Sequence, residues 1–451
     1  MAAIRVLVVD DSALMRRLIT RLLESRGYNV IDTAADGEEA VAKICALKPD
    51  VVSLDLEMPV LDGLGVLRRV MKECPVPVVM LSSHTTAGAR ATMRALSLGA
   101  VDFVAKPSGP GQLDAMVDEL VEKLRAAATV AASKLVRPGV GMAFHPFPAG
   151  KAGPLLLPPR GKRPEDARTP PGPPGKPVDF SSRKEVPPVK PAGTGSVPER
   201  HAGTSRFSMP PVLRPAGRSP SGAPAGAPGR AADAGSAKAD RDTTAGGTVP
   251  RLVVVPKRPA RIDLVVIGSS TGGPAALQVI IPALPEDFPA AVVLVQHMPV
   301  GFSGSLAEHL NRRSRLPVKH AAEGDPVIPG RVLVAPAGFD LTFRGHPGHV
   351  TVHLDAGSGP VPPGGFRPSV DGVMLSAAEV FGARVMGVLL TGMGRDGARG
   401  MAAIREKGGP TIAQDESTCV VFGMPKAAID LGAALKVVPL GEVAGEMVRM
   451  V

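Results

Sequence analysis

Tryptophan is absent from this sequence, tyrosine occurs once and cysteine three times in 451 residues. With so few large aromatic rings, the chain lacks the interleaved stacking platforms on which single-stranded nucleic acid is bound. Cys45, Cys74 and Cys419 stand far apart, with no Cys-x-x-Cys pair and no clustered histidines. That spacing supports neither a zinc site nor a disulfide framework, and three buried, inert thiols are the expected state. No run of eighteen apolar residues occurs, and Ile4–Val9 passes straight into Asp10 and Asp11 rather than into a leader. A cytoplasmic protein with no membrane insertion is therefore expected.

The net charge of +10 suggests nucleic acid until its location is examined. Residues 131–260 hold 21 Lys and Arg against 8 Asp and Glu, so this segment carries +13 and the remainder −3. The same segment contains 25 of the 48 prolines and no sustained apolar period. Such a composition cannot bury enough surface to offset its chain entropy, and stretches like Pro170–Pro177 favour extended, solvated backbone. We read 126–259 as a disordered basic Pro-rich linker and a solvated spacer, not a nucleic-acid site. A flexible chain of that length spans roughly 60 Å on average, a loose tether. The linker divides the chain into a domain over 1–125 and another over 260–451.

The amino-terminal domain alternates. Val6–Val9, Val30–Thr33, Val51–Leu54, Val76–Leu81 and Val101–Val104 are apolar runs of strand length, separated by helical-period segments such as Ala13–Glu24, Glu38–Leu47 and Ala89–Leu98. This predicts a doubly wound parallel sheet. Asp10, Asp11 and Asp55 follow the first and third strands and collect at one sheet edge. Carboxylates so crowded repel one another and suit a hard divalent cation, Mg²⁺ above all. Ser82 and Lys106 end the fourth and fifth strands and aim a hydroxyl and an ammonium at the same edge.

Asp10-Asp11-Ser12, Asp55-Leu56-Glu57-Met58-Pro59, Ser82 and Lys106-Pro107 together resemble the signature of response-regulator receiver domains. The resemblance implies that Asp55 accepts a phosphoryl group from a histidine kinase. It further implies that Asp11, Asp55 and the main-chain carbonyl of Glu57 hold Mg²⁺, with Asp10 acting largely through water. Ser82 and Lys106 would contact the phosphoryl oxygens, and Phe103 occupies the place of the family's switch aromatic.

The second domain is organised around Leu264–Pro274, an apolar run ending in Ser269-Ser270-Thr271-Gly272-Gly273-Pro274. The pattern is a strand buried on both faces, then a turn, then a proline suited to a helix's first turn. Hydroxyls would thus sit where open α/β sheets place reactive groups; by itself the stretch also fits a phosphate-binding loop or a tight turn. Further strands are expected at Ala291–Gln296, Val332–Ala335, Val385–Leu390 and Pro410–Ala413, with helices at Ser303–Arg312, opened by a serine cap, and from Ala398. Gln296-His297-Met298-Pro299 and Thr391-Gly392-Met393-Gly394-Arg395-Asp396-Gly397 follow strand ends. A Ser, a His and an Asp in such places supply a hydroxyl nucleophile, a base and an orienting acid. Their order along the chain differs from that of the common hydrolase folds.

Ser270-Thr271-Gly272-Gly273, Gln296-His297-Met298-Pro299, Phe366-Arg367-Pro368-Ser369-Val370-Asp371 and Gly392–Gly397 are together similar to the chemotaxis protein-glutamate methylesterase domain, and a receiver in front of it matches that family's domain order. The resemblance implies Ser270 as nucleophile, His297 as general base and Asp396 as orienting carboxylate, with the N–H groups of Met393 and Thr271 as oxyanion donors. No cofactor is expected there. The implied substrate is a glutamate γ-methyl ester on the cytoplasmic bundle of a chemoreceptor, with glutamine deamidation as a second activity. Ser269 stands where the family usually carries Ala, and Asp371 is an alternative acid or a shaper of the substrate groove. The linker is longer than this resemblance implies. Unphosphorylated, the receiver would cover the Ser270 edge. The competing reading is a non-enzymatic, phospho-dependent adaptor that binds receptor or kinase.

Overall fold

The computed structural model describes residues 3–107, 109–130, 261–346, 348–357 and 366–451. The expected linker lies almost wholly outside the described residues. The first domain runs β1 (Arg5–Val9), α1 (Ala13–Ser25), β2 (Asn29–Ala34), α2 (Gly37–Leu47), β3 (Val51–Asp55), α3 (Gly63–Glu73), β4 (Val78–Ser82), α4 (Thr86–Leu98), β5 (Asp102–Ala105) and α5 (Leu113–Ala128). Its five strands pair in parallel in the order β2-β1-β3-β4-β5. Strands β3, β4 and β5 are buried at every residue, which is why they are mostly apolar, with Ser53 the one polar residue inside them and Asp55, Ser82 and Asp102 at their ends. The connection reverses direction beside β1 and β3, and the crevice beyond their carboxyl ends receives Asp10, Asp11 and Asp55.

The second domain runs β6 (Leu264–Ser269), α6 (Gly273–Ile280), β7 (Ala291–Gln296), α7 (Ser303–Asn311), β8 (Val318–His320), β9 (Val332–Val334), β10 (Asp340–His346), β11 (His349–Asp355), α8 (Val370–Phe381), β12 (Val385–Leu389), α9 (Ala398–Glu406), β13 (Thr411–Gln414), α10 (Met424–Asp430), β14 (Lys436–Val438) and α11 (Leu440–Met450). Seven strands form a parallel sheet ordered β14-β13-β12-β6-β7-β9-β8, and β10 and β11 make a separate antiparallel hairpin. Strand β6 lies at the middle of this sheet, and the chain winds outward from it in both directions. The loops after β6, β7 and β12 therefore meet over one crevice.

The described parts of the two domains belong to one compact unit. Helix α4 packs on α6 and α7, and the apolar core continues from Met93 and Leu96 of α4 into Leu277 of α6 and Leu306 of α7. Arg90 of α4 pairs with Glu308 of α7 at 3.1 Å.

Two expectations are corrected. Cys45 and Cys74 form a disulfide, with Cα atoms 5.4 Å apart, and Cys419 is a buried thiol outside it, donating to Gln414 O at 3.9 Å. Helices α2 and α3 lie against each other, which brings the last turn of one beside the cap of the other; a sequence separation of 29 gives no sign of this. Ser303 is the first residue of α7 rather than its cap, which is Phe302. Its hydroxyl instead accepts from the Ala337 N–H and bonds His320 Nε2, both at 3.0 Å.

Candidate active site and phosphoacceptor site

At the receiver edge, ligand atoms of Asp10, Asp11 and Asp55 lie within 4.8 Å of one another. Lys106 Nζ is 2.6 Å from Asp55 Oδ2 and 3.0 Å from Asp10 Oδ2, as its position at the end of β5 requires. The second approach lacks hydrogen-bond geometry, so this buried Asp10 oxygen keeps an unengaged lone pair. An all-carboxylate set with an open buried oxygen fits a hard divalent cation. Burial pushes the Asp55 carboxyl up to about 6 against the opposing pull of Lys106. Burial would lower Lys106, but Asp55 and Asp10 outweigh it and hold the ammonium above its ordinary value. The Glu57 N–H donates to Asp55 Oδ1 at 3.3 Å, and buried Ser82 Oγ accepts from Thr92 Oγ1 at 2.7 Å. Phe103 is buried, and its ring lies 4.6 Å from that of Phe302 in the second domain.

In the second domain, a cavity of about 420 Å³ is lined by Ser270, Thr271, His297, Phe366 and Met393. Ser270 opens the loop after β6, and its own N–H donates to Thr391 O at 3.1 Å, which ties that loop to the one after β12. His297 Nε2 lies 2.9 Å from Asp396 Oδ2. The imidazole's other nitrogen, Nδ1, is buried and has no hydrogen-bond partner among the described residues. Because Asp396 can only accept, the tautomer is Nε2–H, and the lone pair on Nδ1 is left for a proton from elsewhere. Among the described residues no hydrogen bond joins Ser270 Oγ to the ring; such bonds tighten when substrate is bound. The N–H groups of Thr271 and Met393 have no acceptor among the described residues, and both residues line the cavity.

Asp396 is held by more than His297. Its carboxylate accepts the Ser369 hydroxyl at 3.0 Å and the N–H groups of Val370 at 2.7 Å and Asp371 at 2.8 Å. These are the cap and first residues of α8, where a negative charge meets free N–H groups and the positive end of the helix dipole. Burial would raise the carboxyl, but His297 and these N–H groups prevail and hold it down at about 2. Asp371 does not reach the imidazole. It is buried, accepts from the N–H groups of Gly397 at 2.9 Å and Gly400 at 2.8 Å, and pairs with Arg399. Ser269 is fully buried and donates to Gln296 Oε1 at 2.7 Å, turned away from the cavity that Ser270 lines. Gln296 in turn donates to the carbonyls of Ser270 and His297 at 2.9 and 2.8 Å, clamping the two loops together. Sequence reasoning missed the roles of Gln296 and Ser369, although a serine ahead of an apolar helical run is a readable cap signal.

The remaining wall of the cavity comes from the receiver: Asp102 of β5 and Glu119, Glu122 and Lys123 of α5 line it beside Ser270 and His297. Fold and sites together define a class, a response-regulator receiver docked on a parallel-sheet hydrolase domain. The profile of the response regulator receiver domain matches residues 6–118, and that of the CheB methylesterase matches 265–447. The protein-glutamate methylesterase/protein-glutamine glutaminase of Moorella thermoacetica is 42% identical over 99% of this chain and 98% of its own. That of Symbiobacterium thermophilum is 42% identical over 99% of this chain and 97% of its own. The crystal structure of the Thermotoga maritima CheB methylesterase catalytic domain is 45% identical, covers 42% of this chain and 99% of that chain, and has a TM-score of 0.41. The chain belongs to the protein-glutamate methylesterase/protein-glutamine glutaminase family, and it is a hydrolase with a regulatory receiver. Both alignments run along nearly the full length of the two chains, so these relatives are similar to this chain in overall length.

Proposed function

We propose that this enzyme hydrolyses glutamate γ-methyl esters on the cytoplasmic part of chemoreceptors, and deamidates glutamine there, under control of a phosphoryl group on Asp55. The observation that carries the reading is the His297–Asp396 bond at 2.9 Å, with Nδ1 left unpartnered in the cavity that holds Ser270. Ser270 Oγ attacks the ester carbonyl as His297 Nδ1 takes its proton, and the N–H groups of Thr271 and Met393 receive the developing oxyanion. Asp396 fixes the tautomer and stabilises the imidazolium. The imidazolium returns the proton to the departing methoxide, methanol leaves, and water activated by the same nitrogen cleaves the acyl-enzyme to glutamate. An amide substrate follows the same course and releases ammonia.

The organisation is a receiver over 1–125, a linker over 126–259 and the catalytic domain over 260–451. Asp10, Asp11, Asp55 and the Glu57 carbonyl would hold Mg²⁺, which supplies charge neutralisation for phosphoryl transfer from a histidine kinase. Ser82 and Lys106 contact the phosphoryl oxygens and Phe103 responds. The contact of Phe103 with Phe302, and the α5 side chains in the catalytic cavity, support a gate in which the unphosphorylated receiver obstructs the site. Among the described residues no helix is long and apolar enough to cross a membrane, which fits a cytoplasmic setting.

Methanol release from a methylated chemoreceptor fragment tests this with the full-length protein. Ser270→Ala should lose on the order of 10⁴-fold in rate, while Ser269→Ala stays within a few-fold. Asp55→Asn should abolish stimulation by a small phosphodonor. Loss in Ser269→Ala with retention in Ser270→Ala overturns the nucleophile assignment, and wild-type protein that binds receptor without releasing methanol would be an adaptor.

A further inference from the structure

The segment Phe366–Asp371 was singled out by its sequence, yet the triad alone accounts only for its last residues, which cradle Asp396. Its first residue faces the other partner. The Phe366 ring lies flat on the His297 imidazole, with centroids 4.2 Å apart and planes 10° from parallel. His297 is 7% exposed, whereas Phe366 is 43% exposed at the lip of the cavity. An exposed phenyl ring held in this way is not there to fill the core.

Among the described residues a single hydrogen bond holds the His297 ring, at Nε2. One such bond fixes a point but not a plane, because the ring can still turn about the bond and swing Nδ1 away from the nucleophile. A flat aromatic neighbour supplies the missing constraint. It also presents a π face to the ring, which favours the cationic form that arises when the nucleophile's proton is taken. The loop bearing Phe366 is itself anchored. Arg367 pairs with Asp340 at 3.2 Å and donates to Ala356 O at 3.2 Å, while its carbonyl accepts from Gly338 N at 2.9 Å.

We infer that Phe366 is a positioning residue for the esterase reaction, holding the plane of the His297 imidazole so that Nδ1 faces Ser270 while Nε2 stays on Asp396. The inference rests on the proposed role of His297 as base. Phe366 and Ser369 then form one device, three residues apart, in which a single segment orients the base from its face and the acid from the α8 amino terminus.

The test uses full-length, phosphodonor-activated protein and the methanol-release assay. Phe366→Leu should lower kcat by about tenfold or more with KM changed less than about twofold, because orientation and not binding is lost. Phe366→Tyr, which keeps the flat ring, should restore most of the rate. In NMR spectra, the ring-current shift of the His297 ring protons should vanish in Phe366→Leu and persist in Phe366→Tyr. A rise in KM with kcat intact would make Phe366 a substrate contact and overturn the inference, as would equal damage from Leu and Tyr with the ring-current shift unchanged in both. If Phe366→Leu does not fold, Phe366→Met against Phe366→Tyr decides the matter by the same split. His297→Gln separates the two levels: methanol release surviving that change defeats the assignment of the base, whatever the Phe366 variants do.

Discussion

Two adjacent hydroxyls illustrate how one residue's step along a strand decides chemistry. Ser269 is the last residue of β6 and turns into the protein against Gln296, while Ser270, one residue on, lines the cavity. Gly273 allows this turn, since a Cβ there would fall 2.1 Å from Gln296 Oε1. Removing the Ser269 hydroxyl leaves a buried amide oxygen short of a donor, so its cost belongs to stability, about 1 kcal/mol. A second residue carries strain in the open. Val60, between Pro59 and Leu61 in the loop after Asp55, has φ of 67° and is 86% exposed. A β-branched side chain is poorly suited to the left-handed region, and nothing about this exposed position calls for one. Val60→Asn should raise the receiver's thermal transition by about 3 °C, measured by calorimetry. An unchanged or lower midpoint would show that the loop is not strained there.

Helix α8 is the element on which Asp396, the proposed orienting carboxylate, depends. Its cap and first N–H groups hold the Asp396 carboxylate, and Asp371 in its first turn reaches across to Gly397 and Gly400 and so pins the loop that carries Asp396. Asp371→Ala would leave the buried Gly400 N–H unpaired and the Gly397 N–H with Asp396 as its one acceptor, and should destabilise the catalytic domain by about 1–3 kcal/mol. Asp371→Asn, which still presents an oxygen to both N–H groups, should lose less than half of that. Denaturant titration of the two variants beside the wild type checks the ordering. An Asn variant as unstable as the Ala variant would mean that the pairing with Arg399, and not the backbone contacts, is what matters.

For the whole molecule, the decisive feature is a domain interface built around one polar cluster in an apolar seam. Gln278 Oε1 of α6 accepts from Ser97 of α4 at 2.6 Å, His309 of α7 at 3.1 Å and Arg313 at 3.2 Å. Burial, then Arg313 and Arg312, holds His309 below its ordinary value, and Glu308, paired with Arg90, faces the same seam. Arg312 and Arg313 act in either state, but the burial that α4 adds through Ser97 is lost on separation, so the docked state binds fewer protons than the separated one. Docking is therefore at full strength above about pH 6.5 and weakens as pH falls below it. Hydrogen-exchange protection of α4 and α6, corrected for the intrinsic pH dependence of exchange, should fall between pH 7 and pH 5.5 in the unphosphorylated protein. His309→Gln should flatten that fall; a wild-type profile already flat would remove His309 from the interface's energetics.

Sequence alone determined the two parallel sheets, because strands buried on both faces must read as mostly apolar runs rather than alternating ones, as Val51–Asp55 and Ala291–Gln296 do. It also picked out Asp10, Asp11, Asp55, Ser270, His297 and Asp396 as candidates, since reactive groups in such folds follow strand ends and are marked by glycine and proline turns. The contacts between distant segments were another matter. Which nitrogen of His297 meets Asp396, the flat approach of Phe366 and the Cys45–Cys74 bond have no local signature in the chain. Nor has the meeting of Phe103 with Phe302, which joins the receiver to the loop beyond His297. Each depends on the angle at which two separately formed elements pack, and that angle is set by the summed fit of many side chains across the core, so only the tertiary structure could decide it.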